Sequence, residues 1–193
     1  MKLTPPQKMN RDLISQTFHE GHKALDIIPG DRKTFYGYGV PLCAPEDVKI
    51  LKIVGDTSTP GSTENLKRGY GVWMKGLETG FTHFFWHTLP YFPVWGGDIV
   101  KRGKIVAYMG NAGYVFRVGV YVPLEDRTVP DFPGTHLHWE MFNPEFALGK
   151  VKAGRELNPL NYLDFNLSPT PTVGEQIASG AVVISKIIKR TKI

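Results

Sequence analysis

From about residue 25 onward, the chain consists of short apolar runs separated by Gly, Pro, Asn and Asp. Runs rich in β-branched and aromatic residues predict strands when turn residues bound them. Residues 71–75 and 81–87 flank a segment with a glycine at each end, which predicts a hairpin. Further strands are predicted at residues 48–54, at 99–108 with a turn at Arg102 and Gly103, at 114–122 and at 136–142.

This spacing of short strands predicts an all-β fold, mainly antiparallel β-sheet in a sandwich or open barrel, with a short C-terminal extension. Residues 1–17 are expected to form an N-terminal lead-in with a helical turn, and residues 18–166 the domain. Residues 167–193 predict a linker followed by an amphipathic tail, because apolar residues recur there at helical spacing. We expect the tail to dock on this domain or on an assembly partner rather than on a membrane.

Composition and charge exclude several classes of function. The hydrophobic share of 41% and the charged share of 21% are ordinary for a soluble globular protein of 193 residues. The net charge is +5, but the basic residues are scattered except for a run from Lys186 to Lys192. We therefore expect a solvated surface with a basic tail, and no nucleic-acid partner.

Neither a disulfide nor a membrane span is predicted. Cys43 is the only cysteine, so no internal disulfide can form, and its apolar neighbours favour a buried structural thiol. Residues 1–10 lack the apolar core of a signal peptide. No stretch approaches the roughly 20 apolar residues that a membrane-spanning helix requires.

The histidines carry the candidate chemistry. His22 and Asp26 are four residues apart, a spacing that puts both side chains on one side of a helix or an extended segment. His136 and His138 alternate on a predicted strand and therefore point the same way, together with Glu140. His87 lies in an aromatic run. Each group taken alone also fits a structural histidine or a surface pair.

Taken together, these residues make a coherent metal-dependent active site. A catalytic zinc ion has three protein ligands, nitrogen or oxygen, and one open position for water. His22, Asp26 and His138 would supply two nitrogens and a carboxylate to Zn2+. His136 and His87 would remain as acid–base groups near neutral pH, one to take a proton from water and the other to stabilise the oxyanion.

At these positions the chain resembles the lysostaphin-type (LytM-domain) zinc endopeptidases. Residues 22–26 resemble the family's His-x-Gly-x-Asp motif, residues 85–89 its Tyr-x-His-Leu motif, and residues 136–140 its His-x-His motif with a following Glu. Residues 100–113 resemble its glycine-rich stretch and residues 158–163 its closing Asn-Pro-x-x-Tyr-Leu. The resemblance covers about residues 14–164, in the family's order.

The resemblance implies a lysostaphin-type peptidase fold, a mostly antiparallel β architecture of the duplicated hybrid-like kind with its site in a groove across the sheet. It implies that His22, Asp26 and His138 bind zinc and that His136 and His87 are catalytic. It also implies hydrolysis of peptide cross-links in peptidoglycan at the bacterial cell wall. A chain without a visible signal peptide would reach that wall in a virion or after release by a phage.

Several positions depart from the family pattern. Ala24 replaces the motif glycine, and Thr88 stands between His87 and Leu89. Residues 113–136 are longer than is usual and contain three prolines, so we expect an ordered loop at the groove that alters substrate choice. His19 is an alternative ligand three residues before His22, and His83 is expected to point outward from its strand.

Two further functions are compatible with the same residues. The first is a catalytically silent binding or activator module on the same fold. The second is a structural part of a larger assembly, such as a phage tail tip, that carries the peptidase domain. Silent relatives generally lack a metal ligand, whereas all five expected positions are filled in this chain.

Overall fold

Antiparallel strands form most of the regular structure of this chain, which we describe from a computed structural model over residues 2–30, 38–55, 68–127, 131–144 and 156–169. The predicted tail at residues 173–193 and the end of the predicted linker lie outside the described residues. Within the described part, the helices are three-residue 3-10 turns at Arg11–Leu13, Leu124–Asp126 and Pro159–Asn161. No helix there has the length and hydropathy needed to cross a membrane.

One eight-stranded sheet dominates the described residues, in the order β1-β2-β11-β6-β5-β4-β7, with β12 paired to β11 beyond the end of β2. Two ribbons, β3–β8 and β9–β10, complete the strands. All of these strand pairings are antiparallel. The strands are β1 Ile14–Gln16, β2 Leu25–Ile27, β3 Pro41–Cys43, β4 Val48–Val54, β5 Tyr70–Gly76, β6 Thr82–Thr88, β7 Ile99–Val100, β8 Ile105–Tyr108, β9 Phe116–Arg117, β10 Val120–Tyr121, β11 Leu137–Phe142 and β12 Glu156–Leu157.

The main core lies on one face of the sheet. On β11, Leu137, Trp139 and Met141 are fully buried, and they alternate with His138 and Glu140 on the opposite face. The β3–β8 ribbon covers the core face, since Leu42 and Ala107 belong to the same buried cluster. The opposite face of the sheet is therefore left to carry the polar residues of the candidate site.

Most of the predicted strands are present, and the all-β antiparallel fold is confirmed. The strand at 48–54 and the hairpin formed by β5 and β6 are confirmed, as is the strand that contains His138. Residues 99–108 form two strands with a turn between them, β7 and β8. They do not pair with each other, because β7 pairs with β4 and β8 pairs with β3. Cys43 is buried, as predicted.

The single strand predicted at residues 114–122 is wrong. The chain reverses at Val118 and Gly119, which both have positive φ, and forms the β9–β10 hairpin. Arg117 pairs with Val120 across this two-residue turn. The prediction failed because alternation of apolar residues is the same in one strand as in two strands joined by a two-residue turn.

Residues near the N-terminus pack against the domain. Leu3 is fully buried and forms an isolated parallel bridge with Leu163. The side-chain amide of Gln7 donates to the carbonyl oxygen of Ile28 at 2.7 Å. The 3-10 turn at Arg11–Leu13 leads directly into β1, which pairs with β2. This segment therefore helps to hold β2, the strand that carries Asp26.

The expectation that His83 points outward is also wrong. The His83 side chain is fully buried beside Glu46, and its Nε2 lies 3.0 Å from Glu46 Oε1. Both faces of β6 are covered, so alternation along the strand does not bring this residue to solvent. Burial lowers the pKa of His83 despite its bond to Glu46.

Glu46 ties the β5–β6 turn to the start of β4. Its carboxylate accepts hydrogen bonds from Thr79 Oγ1 at 2.6 Å and from the backbone N–H groups of Glu78 and Thr79 at 3.1 Å. Burial alone would raise the pKa of Glu46, but the bonds from His83 and Thr79 outweigh burial and lower it. Gly76 makes room for this carboxylate, because a Cβ there would lie 2.3 Å from Glu46 Oε1.

Replacing Glu46 with Gln should lower the free energy of unfolding at pH 7 by about 3 kcal/mol, since a buried charged acceptor loses several donors. The folded-state pKa is lowered, so the stability from Glu46 is present above its ordinary pKa and lost as pH falls through the folded value. Urea denaturation should therefore show a smaller difference between wild type and Glu46→Gln in acid, below about pH 4. Asp12→Asn, an exposed carboxylate, is the control. An equal difference at both pH values would contradict this account.

Candidate metal centre and active site

Three of the predicted site residues are brought together by one strand pairing and one turn. β2 and β11 pair so that His138 lies directly opposite Asp26. His22 precedes β2 in a turn closed by backbone bonds between His19 and His22 at 2.9 and 3.1 Å. Residues 112 positions apart in sequence therefore share one end of the sheet.

The donor atoms of these residues fit a small divalent cation. Asp26 Oδ1 lies 2.9 Å from His138 Nδ1, and Asp26 Oδ2 lies 3.3 Å from His22 Nε2. Tetrahedral zinc with ligands at about 2.0–2.1 Å separates its donor atoms by roughly 3.4 Å. His22 Nε2 is buried and has no hydrogen-bond partner. A buried imidazole nitrogen without a partner is costly unless a ligand completes it, so the set fits a metal.

A second layer of side chains orients His138. Its Nε2 lies 3.3 Å from Glu140 Oε1, and the other oxygen of Glu140 accepts from Arg68 Nη1 at 2.8 Å. Since both carboxylates accept, the ring carries a proton on each nitrogen without a metal. A metal ion would displace the Nδ1 proton, and the bond to Glu140 would keep the proton on Nε2. The guanidinium of Arg68 also lies over the Trp86 ring, 5.4 Å from its centroid. No sequence pattern had indicated Arg68.

His87 reaches the site through a β-bulge. On β5, Tyr70 pairs with Thr88 and the next residue, Gly71, pairs with Trp86, so His87 is an extra residue in β6. Its φ of 60° is unusual for a residue with a side chain and turns the imidazole toward the other histidines. Simple alternation from the buried Phe85 would have placed His87 on the core face.

Backbone carbonyls fix the tautomers of His87 and His136. His87 Nδ1 donates to the carbonyl oxygen of Ala112 at 2.6 Å, and His136 Nδ1 donates to that of Gly134 at 2.8 Å. Because carbonyls only accept, the proton of each neutral ring is on Nδ1 and the lone pair is on Nε2. The two ring centroids are 4.6 Å apart. The pair thus presents two basic nitrogens beside the candidate ligands.

The electrostatics divide the histidines into two kinds. Burial lowers the pKa values of His87 and His136, so both rings are neutral near pH 7. Burial also acts to lower the pKa of His138, but its bonds to Asp26 and Glu140 outweigh burial and raise the pKa to about 9. Burial would raise the pKa of Asp26, yet the hydrogen bond from His138 and the nearby imidazole of His22 hold the pKa well below its usual range.

All five predicted site residues therefore lie in one groove. Two overlapping triads bring their donor atoms within 4.8 Å of one another: His22, Asp26 and His138, and His87, His136 and His138. His19 belongs to neither of these triads among the described residues, and its Nε2 contacts Gln16. The roles assigned to each residue remain predictions.

The long segment at residues 113–136 borders this groove, as expected. The residues of this segment that line the groove include Tyr114, Phe116, Val118 and Phe132, and residues from β1 and from the end of β2 also line it: Ser15, Gln16, Ile28 and Pro29. The groove is partly open to solvent, so the histidines are accessible to a ligand.

Comparison with known proteins identifies the fold. No protein-family model and no curated protein matches this chain. Lysostaphin from Staphylococcus simulans, described as an antimicrobial peptidase, is 19% identical over 87% of this chain and 56% of its own, with a TM-score of 0.51. A zinc-containing peptidase from Vibrio cholerae is 16% identical over 82% of this chain and 40% of its own, with a TM-score of 0.51. The structure of LytU is 22% identical over 76% of this chain and 81% of its own, with a TM-score of 0.50.

This chain has the lysostaphin-type peptidase fold. The likeness concerns the fold, since every identity is below 25%. The fold implied by the sequence motifs is thereby confirmed. Within this lysostaphin-type fold, the candidate ligands come from β2, the turn before it and β11.

Glu140→Gln should weaken zinc binding by about 10- to 100-fold, because the amide no longer holds His138 in the tautomer that exposes Nδ1. Competition calorimetry with a chelator measures the dissociation constant. Glu78→Gln is the matched control, since it removes a carboxylate paired with Arg102 away from the groove. Unchanged zinc affinity in Glu140→Gln would show that Glu140 does not support the metal centre.

Proposed function

We propose that the chain is a zinc-dependent endopeptidase that hydrolyses peptide cross-links of bacterial peptidoglycan. The observation that carries this proposal is the convergence of His22, Asp26 and His138, with donor atoms 2.9 and 3.3 Å apart, beside two neutral histidines. Hydrolysis of a peptide bond needs an electrophile for the carbonyl and a base for water, and this groove has residues for both.

The chain's own residues divide the chemistry between them. His22, Asp26 and His138 would hold a zinc ion, which supplies Lewis acidity toward the scissile carbonyl and lowers the pKa of water. His136 is placed to accept a proton at Nε2, which lies 3.9 Å from Asp26 Oδ2. The imidazolium formed there can donate that proton to the leaving amine.

His87 occupies the other side of the pair. Its Nδ1–H is committed to the Ala112 carbonyl, so only Nε2 is available to the reaction. If His87 rather than His136 takes the proton of the attacking water, the Nε2–H formed hydrogen bonds to the developing oxyanion, and that proton then passes to the leaving amine. Either histidine can take the base role, and the carbonyl acceptors keep both Nε2 atoms in place.

The substrate assignment rests on the fold and the shape of the groove. Lysostaphin, which shares this fold, is described as an antimicrobial peptidase. The groove is open and lined by both apolar and charged residues, which suits an extended peptide. The full set of ligands and both histidines favours an active hydrolase over a silent binding module.

His22→Ala and Asp26→Ala should each abolish zinc binding and peptide hydrolysis together, because each removes a ligand. His136→Ala should keep its zinc while hydrolysis falls by about 100-fold or more, the size of a lost general base. Metal content by elemental analysis and release of new amino groups from purified peptidoglycan measure the two effects separately.

His19→Ala is the control for these variants, because His19 adjoins His22 but lies outside both triads. It should retain both zinc and hydrolysis. Loss of zinc in His136→Ala as complete as in His22→Ala would show that His136 is a ligand. A wild-type chain that binds zinc and leaves peptidoglycan intact would rule out the hydrolase.

A further inference from the structure

The hairpin at residues 114–122, hereafter the groove hairpin, exposes apolar side chains beside the active-site histidines. Val118 at its tip is 97% exposed and Phe116 is 54% exposed. Both line the groove that contains His136 and His138. Of the hairpin's exposed residues, Val120 on β10 is outside the groove lining, so β9 and the turn form the wall. Exposed apolar residues clustered at a groove commonly mark a binding surface.

The base of the groove hairpin is firmly anchored. Arg127 is buried and donates to the carbonyl oxygens of Val122 and Asn111 at 3.0–3.1 Å. Asn111 in turn donates to the carbonyl oxygens of Arg127 and Pro133 at 2.9 and 3.1 Å. The hairpin's packing against the domain therefore comes from its base and does not require the apolar tip.

The backbone conformation at the hairpin tip is one that valine, the residue at position 118, disfavours. Val118 has a φ of 50°, and the following Gly119 has a φ of 78°. A two-residue turn with two positive φ values favours Asn followed by Gly, whereas a β-branched residue is strained there. The non-glycine residues with positive φ in the described chain are His87, Val118 and Phe132, and all three line the groove. Strain of this kind concentrates at functional sites.

The groove hairpin also lies between the two carbonyls that orient the histidines. Ala112, just before it, accepts from His87, and Gly134, after it, accepts from His136. Because Phe116 and Val118 line the same groove as His87 and His136, a ligand that contacts the hairpin lies in the groove that holds the reacting atoms. On β9, one nitrogen of Arg117 is already paired with Asp131 at 3.0 Å. Phe116 and Val118 therefore offer a ligand apolar surface, beside the polar Tyr114 and Arg117 of the same hairpin.

We propose that the groove hairpin determines specificity by binding an apolar side chain of the peptide substrate through Phe116 and Val118. This inference rests on the proposed peptidase function and names the chemistry of the substrate next to the cleaved bond. A sugar ring is recognised mainly through hydrogen bonds, and the exposed side chains of Phe116 and Val118 have no group that makes them. An aliphatic side chain needs only the apolar surface that Phe116 and Val118 provide.

The decisive variant is Val118→Asn, because it should maintain or increase the stability of the fold while it weakens binding of the Leu peptide. Asn suits the turn better than Val, so the midpoint of thermal unfolding should stay the same or rise. Loss of the apolar contact should raise KM by about tenfold for a peptide with Leu beside the cleaved bond. Hydrolysis of the matched Gly peptide and kcat for both peptides should be unchanged. Phe116→Ala should show the same selectivity for the Leu peptide.

Val120→Thr is the matched control, since it changes an exposed valine of the same hairpin on the strand outside the groove. It should leave KM unchanged for both peptides. Equal losses on the Leu and Gly peptides, or an equal loss in Val120→Thr, would overturn the proposal. A defect seen only with intact glycan strands, and not with free peptides, would assign the hairpin to sugar and also overturn it.

Binding of the same two peptides by calorimetry separates this proposal from the peptidase function. Suppose that the wild-type chain binds the Leu peptide more tightly than the Gly peptide but cleaves neither. That result would contradict the hydrolase function and still support the proposed specificity surface. A chain that cleaves both peptides and binds them equally well would support the hydrolase function and overturn the specificity proposal.

Discussion

The register between β2 and β11 is the constraint on which the candidate site depends. It puts Asp26 opposite His138, and the two side chains hydrogen bond at 2.9 Å. A slip of one residue would move His138 and Glu140 to the core face and bring Trp139 into the groove. The fully buried Trp139 and Met141 make such a slip costly, so hydrophobic burial on one face fixes the ligand geometry on the other.

The site combines this rigid pairing with locally unfavourable conformations. His87 is a bulged residue at positive φ, and Val118 and Phe132, which line the same groove, also have positive φ. Side chains in such conformations persist only where the surrounding packing holds them. Carbonyl acceptors at Ala112 and Gly134 supply that support for the two histidines. The pairing of β2 with β11 thus positions the candidate ligands Asp26 and His138, while the bulge in β6 positions His87 and the 113–136 segment supplies His136 and part of the groove lining.

The sequence allowed prediction of the features that depend on local pattern. Alternation located β4, β5, β6 and β11, and spacing within residues 22–26 and 136–140 located the candidate ligands. It could not show the bulge at His87, because an extra residue changes a strand's pairing without changing its composition. It could not show that β6 is covered on both faces, so His83 was placed wrongly. Arg68 carries no local signal, since its contact with Glu140 spans 72 residues.

Anomalous diffraction at the zinc absorption edge, from crystals of the zinc-loaded chain, tests the central claim most directly. The account predicts one strong peak within bonding distance of His22 Nε2, an Asp26 carboxylate oxygen and His138 Nδ1, with Glu140 still bonded to His138 Nε2. A peak that leaves Asp26 uncoordinated, or the lack of any peak at this end of the sheet, would contradict it.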